Sequence, residues 1–318
     1  MSRDSGGSPF FIIWVICMDR CIEKKAYLGR EDLTELVIRE EIEQIGDWAF
    51  AGCRNLRKIA LPETVSSIGR DIFKDSLSLS MIAVCSMEKL LSSGLFPMLS
   101  KQEAILARLR ADSFLHFPPS NLAEMIETDP AKWLPALTDR LSAFLIRPDD
   151  AGFVPFLASG EEDYEEGDAA RGLFMEKRKR AKCQAVVDRL LLDEVYRESA
   201  GNAEKAESTA EAVSLTGIGE REVGKVLQAE KKESKIEAVL LTDKERAQLT
   251  EALKSSEAAY VVLAKSRELF EEMVKLYSRL GLLSPAAVTV MMTMIPQENI
   301  QLRSLCMRYT NKTKRFTL

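Results

Sequence analysis

Apolar residues recur along the first 86 residues with a period of 23. The segment Leu33–Ile38 aligns with Leu56–Leu61 at this offset, and Ile45-Gly46 aligns with Ile68-Gly69. The same three apolar strand positions recur one period earlier, in 10–15, and one period later, in 79–84. An unbroken period of this length is typical of a repeat architecture, in which each unit buries its apolar edge against its neighbours.

Each repeat is predicted to contain a short strand, a turn and a partial helical turn. Three full repeats span 10–32, 33–55 and 56–78, and the strand of a fourth follows. Phe50 and Phe73 occupy equivalent positions and are expected to stack in the core. The apolar run Phe10–Met18 is too short to cross a membrane, so we predict that it forms the first strand.

The second and third repeats resemble the BspA-like leucine-rich repeats, whose unit reads roughly L-x-x-I-x-I-P-x-x-V-x-x-I-G-x-x-A-F-x-G-C. The residues that carry the resemblance are Ile45–Cys53 and Ile59–Gly69. In the first repeat Glu23, Tyr27 and Arg30 replace the glycine, phenylalanine and cysteine, as expected at an end. The resemblance covers residues 10–86. It implies a short leucine-rich-repeat solenoid and a binding or adhesion role without shared chemistry.

The outward strand positions form two ladders across the repeats. In the first ladder Glu35 and Lys58 are placed to form a cross-strand ion pair. The second ladder is apolar where a solvent-facing ladder would be polar, so either the helical region packs on it or it binds a partner. The candidate partner-binding residues are Trp14, Glu35, Val37, Lys58, Ala60, Met81 and Ala83.

After Cys85 the apolar spacing becomes helical. Asp129-Pro130 and the capping box Thr242–Glu245 are helix starts, and Phe270–Leu280 carries an apolar stripe that Gly281 ends. Helices joined by short turns predict antiparallel hairpins. These hairpins loosely resemble ankyrin-like arrays, although they have no fixed period.

The predicted fold class is α+β, with a leucine-rich-repeat solenoid of three to four repeats followed by an all-α array of helical hairpins. The predicted organisation is a flexible N-terminus (1–9), leucine-rich repeats (10–86), a helical segment (87–160), an acidic linker (161–170), a helical array (171–310) and a basic tail (311–318).

Composition narrows the chemistry that the chain could perform. The net charge of −5 disfavours general attraction to nucleic acid or anionic membrane. Six cysteines are too widely spread for a disulfide framework or a zinc site, and His116 is the only histidine. We therefore predict no catalytic residue, no metal ligand and no cofactor. Free thiols and the lack of a clear signal peptide favour a cytoplasmic location, with a secreted or surface location as the alternative.

Two segments are candidates for binding nucleic acid. The basic run contains Lys177, Arg178, Lys179, Arg180 and Lys182, but apolar residues flank it at helical spacing, which favours a solvated helix face. Residues 215–227 resemble a helix-hairpin-helix, whose glycine amides contact a phosphate. The residues that would act there are Gly217, Gly219 and Lys225. The same segment fits G-x-x-x-x-G-K, but Val226 lacks the hydroxyl that a phosphate loop needs for magnesium.

The sequence thus favours a non-enzymatic protein–protein interaction or scaffold module that uses the repeat strand face or helix grooves. Its predicted partner is another protein, with no membrane and no small-molecule substrate. The alternative is weak nucleic-acid binding through 215–227 with the basic patch 177–182.

Overall fold

The computed structural model describes residues 12–14, 20–86, 99–153, 164–213, 237–254, 270–283 and 285–314. The chain divides into two compact units. The first comprises Met1–Arg140 and Ser214–Val239, and the second comprises Leu141–Val213 and Leu240–Leu318. The predicted domain boundaries stay predictions.

Short strands from successive repeats form two parallel sheets in the first unit. The larger sheet has the order β1 (Ile12–Trp14), β3 (Glu35–Val37), β5 (Lys58–Leu61) and β7 (Met81–Val84). The smaller sheet has the order β2 (Cys21–Ile22), β4 (Gln44–Ile45) and β6 (Ser67–Ile68). Neighbouring repeats therefore pair strand to strand, whereas the solenoid form itself stays a prediction.

The pairing register equals the sequence period. Ile13 pairs with Leu36, Leu36 with Ile59, and Ile59 with Ile82. Leu36, Ile59 and Ile82 are fully buried because alternate side chains of each strand point into the core. The predicted parallel, in-register strands are confirmed, including a strand within Phe10–Met18.

Aromatic rings form a column along the core of the repeats. Phe50 stacks on Phe73 with ring centroids 5.8 Å apart, and Tyr27 stacks on Phe50 at 5.3 Å. Phe114, from the following helix, meets Phe73 edge-on at 5.3 Å. The predicted stacking of Phe50 and Phe73 is confirmed, and Phe114 closes the column at its C-terminal end.

Glycine is required at the turn after the smaller sheet because neighbouring backbones approach closely there. A Cβ atom on Gly46 would lie 2.6 Å from the backbone nitrogen of Lys24, and one on Gly69 would lie 2.4 Å from that of Asp47. The first repeat carries Glu23 at the equivalent position. A side chain is tolerated at Glu23 because no described repeat precedes it.

Two helices and a 3-10 helix follow the repeats. Helix α1 (Lys101–His116) begins with a capping box in which the Glu103 N–H donates to Ser100 Oγ at 3.3 Å. A 3-10 helix covers Leu122–Met125, and helix α2 covers Pro130–Ile146. The Ala131 N–H donates to Asp129 Oδ1 at 3.3 Å, which confirms the predicted start of α2. Helix α1 packs on β7.

The second unit contains α3 (Tyr164–Val213), α4 (Asp243–Lys254), α5 (Phe270–Arg279), α6 (Pro285–Met294) and α7 (Ile300–Lys314). Thr242 and Glu245 form the predicted capping box, with the Thr242 N–H donating to Glu245 Oε2 at 2.8 Å. The last seven residues of the predicted linker, 164–170, lie within α3, and 161–163 lie outside the described residues. No helix in the described part of the chain is long and apolar enough to cross a bilayer.

Candidate functional site

Helix α1 contributes to the core that buries the apolar ladder of the larger sheet, together with the neighbouring Met81. Val37, Ala60, Met81 and Ala83 are at most 6% exposed and form one cluster with Ala107 of α1. Of the two explanations that the sequence left open, the packing of the helical region on this ladder is the one observed. Four of the candidate partner-binding side chains therefore lie in a core rather than on a surface.

The other partner-binding candidates on the larger sheet are Glu35 and Lys58, which form an ion pair, and Trp14. Lys58 Nζ lies 3.4 Å from Glu35 Oε1, and the two side chains are 27% and 24% exposed. This is the cross-strand pair that the sequence predicts. Trp14 lies in β1, in register with Val37. A half-buried pair of opposite charges largely neutralises itself, so it offers a partner little net charge.

Among the described residues, the smaller sheet carries an open groove. Cys21, Gln44 and Ser67 lie side by side on β2, β4 and β6, and Gln44 and Ser67 are exposed. The groove has a volume of about 590 Å³. It is lined by Cys21, Ile22, Glu23, Lys24, Gln44, Ile45, Gly46, Asp47, Ser67 and Gly69.

Two charged residues that line the groove, Asp47 and Lys24, are held in place by contacts with other side chains and with the backbone. Asp47 Oδ1 accepts the Arg70 N–H at 2.8 Å, which ties the second repeat to the third. Lys24 Nζ lies 4.8 Å from the ring centroid of Trp48, and Trp48 Nε1 donates to Asp71 Oδ2 at 3.3 Å. The side chains beside the groove are therefore ordered by contacts between repeats.

We did not predict this groove from the sequence because its residues occupy the variable positions of the repeat unit. The signal that could have found it is the row Cys21, Gln44 and Ser67, which recurs at the period of 23. All three positions are polar or small next to the buried Ile22 and Ile45. A polar row beside an apolar row indicates a solvent-facing sheet surface.

The basic run lies on α3, and much of its charge is used within the second unit. Lys182 Nζ donates to the carbonyl of Leu145 at 3.3 Å, to that of Arg147, and to Asp149 Oδ1 at 2.7 Å. Arg180 pairs with Glu176 at 2.9 Å. These contacts cap the end of α2 and neutralise charge, so Lys182 and Arg180 are poorly placed to meet phosphates.

Arg178 also contacts the segment that follows α2. It donates to the carbonyl of Ala151, and its guanidinium lies 4.8 Å from the ring centroid of Phe174. Burial, and then the nearby Arg147, lower the pKa of Arg178. Lys177 and Lys179 are exposed. The remaining candidates for nucleic acid, Gly217, Gly219 and Lys225, lie outside the described residues.

A network of charges around Asp193 joins three helices of the second unit. Asp193 is fully buried on α3 and accepts the Leu241 N–H at 2.8 Å and Arg197 Nε at 2.9 Å. Arg246 of α4 bonds Asp193, and Arg279 of α5 bonds the adjacent Glu194. Arg197 is a local partner, but Leu241, Arg246 and Arg279 lie far from Asp193 and Glu194 in sequence, so no local pattern predicts their contacts. Because Asp193 is buried and its cationic partners are paired, we expect the network to hold the three helices together.

The Cys53 thiol is buried in the core of the repeats. Burial raises the pKa of the Cys53 thiol, although a hydrogen bond with the Arg30 backbone opposes this effect. Such a thiol is a poor nucleophile at neutral pH. In the described ranges, no three His, Cys, Asp or Glu side chains come together as a metal-binding group.

Comparison with known proteins gives one match. Residues 20–107 match the family model of the BspA type leucine rich repeat region, which spans β2 to the first half of α1. No curated protein and no solved structure matches the chain. The parallel in-register strands, the period of 23 and the matched family agree. Residues 20–107 of this chain are a BspA-type leucine-rich repeat region.

Proposed function

We propose that the protein is a non-enzymatic interaction module that binds another protein in the groove across β2, β4 and β6. Leucine-rich repeats are generally protein-interaction modules, and stacked repeats present extended surfaces to their partners. Helix α1 packs on the larger sheet, and in the described part of the chain the groove on the smaller sheet is an open repeat surface. In this proposal the repeats form a short solenoid, and the helices serve as its support or as a scaffold.

The groove itself is the observation that carries the proposal. It draws lining residues from three successive repeats, and its volume of about 590 Å³ is within the usual range for ligand sites. Adjacent strands lie about 4.8 Å apart. An extended polypeptide that crosses them would therefore meet Cys21, Gln44 and Ser67 in turn. Its affinity would come from hydrogen bonds to these side chains and from contact with the small Gly46 and Gly69.

Site-directed photocrosslinking in the native host tests this proposal. A photoreactive amino acid placed at Gln44 of the full chain should form an adduct with one polypeptide. The same group at Glu63, which is exposed but does not line the groove, should not form that adduct. Adding Ser67→Arg should remove the adduct at Gln44, because a long side chain would fill the groove. Identical adducts at both positions, or an adduct unaffected by Ser67→Arg, would contradict the proposal.

The rival function, nucleic-acid binding, gains no support from the geometry of the basic run. Three of its five cations contact groups within the second unit. Only the exposed Lys177 and Lys179 among them are left to face solvent. Weak nucleic-acid binding stays a prediction.

A further inference from the structure

Three equivalent residues, one in each repeat, have a left-handed backbone. Lys25, Trp48 and Asp71 follow one another at the period of 23, with φ of +62°, +55° and +53°. This region favours glycine, asparagine and aspartate, and a bulky residue is an outlier in it. Asp71 follows the preference, whereas Lys25 and Trp48 do not. Backbone stability therefore does not explain these two side chains, and strained residues of this kind are concentrated at functional sites.

The side chain of Trp48 is surrounded by charged groups at the surface of the repeats. Trp48 is half-buried, and its ring centroid lies 4.8 Å from Lys24 Nζ and 5.4 Å from Lys25 Nζ. Its Nε1 donates to Asp71 Oδ2 at 3.3 Å, and its backbone N–H donates to the Arg70 carbonyl at 3.0 Å. These contacts hold the ring in one orientation. We call Lys24, Lys25 and Trp48 the Trp48 patch.

The two lysines of the Trp48 patch keep their positive charge. Other cations of the repeats are paired with carboxylates, namely Arg20 with Glu43, Arg30 with Asp32 and Lys58 with Glu35. Lys24 and Lys25 instead contact an aromatic ring, which attracts a cation without neutralising it. Both lysines are exposed. The patch therefore presents two positive charges beside a fixed aromatic surface.

The Trp48 patch is continuous with the groove on the smaller sheet. Lys24 lines the groove, and so does Asp47, the residue before Trp48. The charge changes sign across the repeats, because the first repeat contributes Lys24 and Lys25 whereas the second and third contribute Asp47 and Asp71. Partners are selected by complementary charge. A polypeptide in the groove is thus favoured when its negative charge lies at the first repeat.

We propose that the polypeptide bound in the groove is acidic where it meets the first repeat. The carboxylate of an aspartate or glutamate in that segment contacts Lys24, Lys25 adds a second positive charge, and neighbouring apolar atoms of the segment pack on the Trp48 ring. The inference rests on the proposed function, because it assigns a chemistry to the partner in the same groove. Tryptophan is frequent among the residues that dominate binding, and a ring already fixed in the free protein loses little freedom when a partner binds.

Nucleic acid fits the Trp48 patch less well than an acidic polypeptide does. A tryptophan and two lysines can in principle stack on a base and contact phosphates. However, Asp47 precedes the ring in sequence and Asp71 accepts a hydrogen bond from it. These two carboxylates would repel a chain that carries a charge at every phosphate, whereas a single acidic side chain needs only the lysine end of the patch.

Charge reversal combined with photocrosslinking tests the inference. The probe is the adduct that a photoreactive amino acid at Gln44 forms in the native host. The double variant Lys24→Glu and Lys25→Glu should lower the yield of this adduct at least about tenfold, because like charges then face each other. The matched control is Arg54→Glu with Lys74→Glu. It makes the same change in net charge at exposed positions that do not line the groove, and it should keep the yield.

Lys25→Asn separates binding from folding. Asparagine favours the left-handed backbone of this position, so the midpoint of thermal unfolding should not fall. The same change removes one positive charge, so the adduct yield should fall by about twofold to fivefold, as for the loss of an exposed ion pair. Mass spectrometry of the adduct identifies the attached segment, which should contain an aspartate or glutamate close to the attachment point.

The outcomes distinguish this inference from the proposed function. An adduct that survives reversal of Lys24 and Lys25, that falls equally in the control, or that is unchanged by Lys25→Asn would overturn the acidic partner and leave the groove as a binding site. An attached segment without an acidic residue would do the same. An adduct with nucleic acid, or no adduct at Gln44 in the otherwise wild-type chain, would overturn both the proposed function and this inference.

Discussion

Ser76 illustrates how one buried polar side chain can join two repeats. It is fully buried, its hydroxyl donates to the Phe50 carbonyl at 2.8 Å, and its oxygen accepts the Cys53 N–H at 3.0 Å. One period earlier, Cys53 occupies the same position, and its thiol donates to the Tyr27 carbonyl at 3.1 Å. The repeat thus needs a small side chain that can donate at this position.

Substitutions at Ser76 test this requirement. Ser76→Ala leaves the buried Cys53 N–H and Phe50 carbonyl without partners, which should lower the free energy of unfolding by about 1–3 kcal/mol. Ser76→Cys should recover most of the loss, because the thiol can take the role that Cys53 plays. Urea denaturation of the three chains measures the difference. Equal midpoints for the wild type and Ser76→Ala would show that these hydrogen bonds contribute nothing.

Gly69 tests the close approach of neighbouring repeats. A Cβ atom there would lie 2.4 Å from the backbone nitrogen of Asp47, so Gly69→Ala should destabilise the repeats by about 1–3 kcal/mol through overpacking. Gly172 in α3 has nothing within 4 Å of such a Cβ atom. Gly172→Ala should instead stabilise its helix by about 1 kcal/mol. Thermal unfolding should shift in opposite directions, and a rise for Gly69→Ala would refute the close approach.

At the scale of elements, the aromatic column joins successive repeats through ring contacts. Phe50 is fully buried between Tyr27 and Phe73, so Phe50→Ala should cost about 3–5 kcal/mol. Phe114→Ala removes a half-buried ring at the end of the column and should cost less. Chemical denaturation followed by circular dichroism compares them. A denaturation midpoint unchanged by Phe50→Ala would mean that the ring is not part of a core.

The junction between α2 and α3 depends on Lys182. Its side chain is 12% exposed and contacts the carbonyl of Leu145 in the last turn of α2, the carbonyl of Arg147 just after it, and Asp149. Lys182→Met keeps the aliphatic stem but leaves these acceptors without a donor, which should cost about 1.5–3 kcal/mol. Lys179→Met is the matched control on the same helix because Lys179 is exposed. Hydrogen exchange of residues 141–146 should accelerate only in the Lys182 variant, and similar rates in both variants would contradict a capping role.

The sequence predicted the elements whose partners lie one period away, and it missed those whose partners lie elsewhere. The register of Leu36 with Ile59 follows directly from the period, because in-register pairing buries every apolar position at once. The contacts of Lys182 with the loop after α2, and of Glu194 with Arg279, join residues 33 and 85 positions apart. Such contacts depend on how helices pack, and no repeat or helical spacing encodes them.

The candidate site could be predicted only in part, because the period does not show how the helices pack on the repeats. The period placed Val37, Ala60 and Ala83 in one ladder, but it could not identify helix α1 as the element that covers them. The groove was missed because Gln44 and Ser67 are different residue types, and what they have in common is that both are exposed to solvent. The groove can be recognised as a surface only once the positions of the neighbouring elements, such as helix α1, are known.

At the scale of the whole molecule, the distribution of charge sets how tightly the protein is expected to bind nucleic acid. The net charge is −5, and Arg178, Arg180 and Lys182 are engaged by neighbouring groups. Binding to DNA depends on cations that are free to displace counterions from phosphates. With few such cations, affinity should be weak, and it should depend on Lys177 and Lys179.

A gel-shift titration at several salt concentrations measures this directly. We expect no DNA binding tighter than about tens of micromolar at physiological salt, as for non-specific contacts made by few cations. The double variant Lys177→Glu and Lys179→Glu should fold normally, because both side chains are exposed, and it should leave the photocrosslinked adduct at Gln44 intact. Submicromolar binding that falls steeply with salt and is lost in this variant would instead favour nucleic acid as the partner. If replacing Gly217 and Gly219 also abolished such binding, the segment 215–227 would be its second contact. Because the groove variants and the lysine variants lie in different compact units, each function can be removed without disturbing the other.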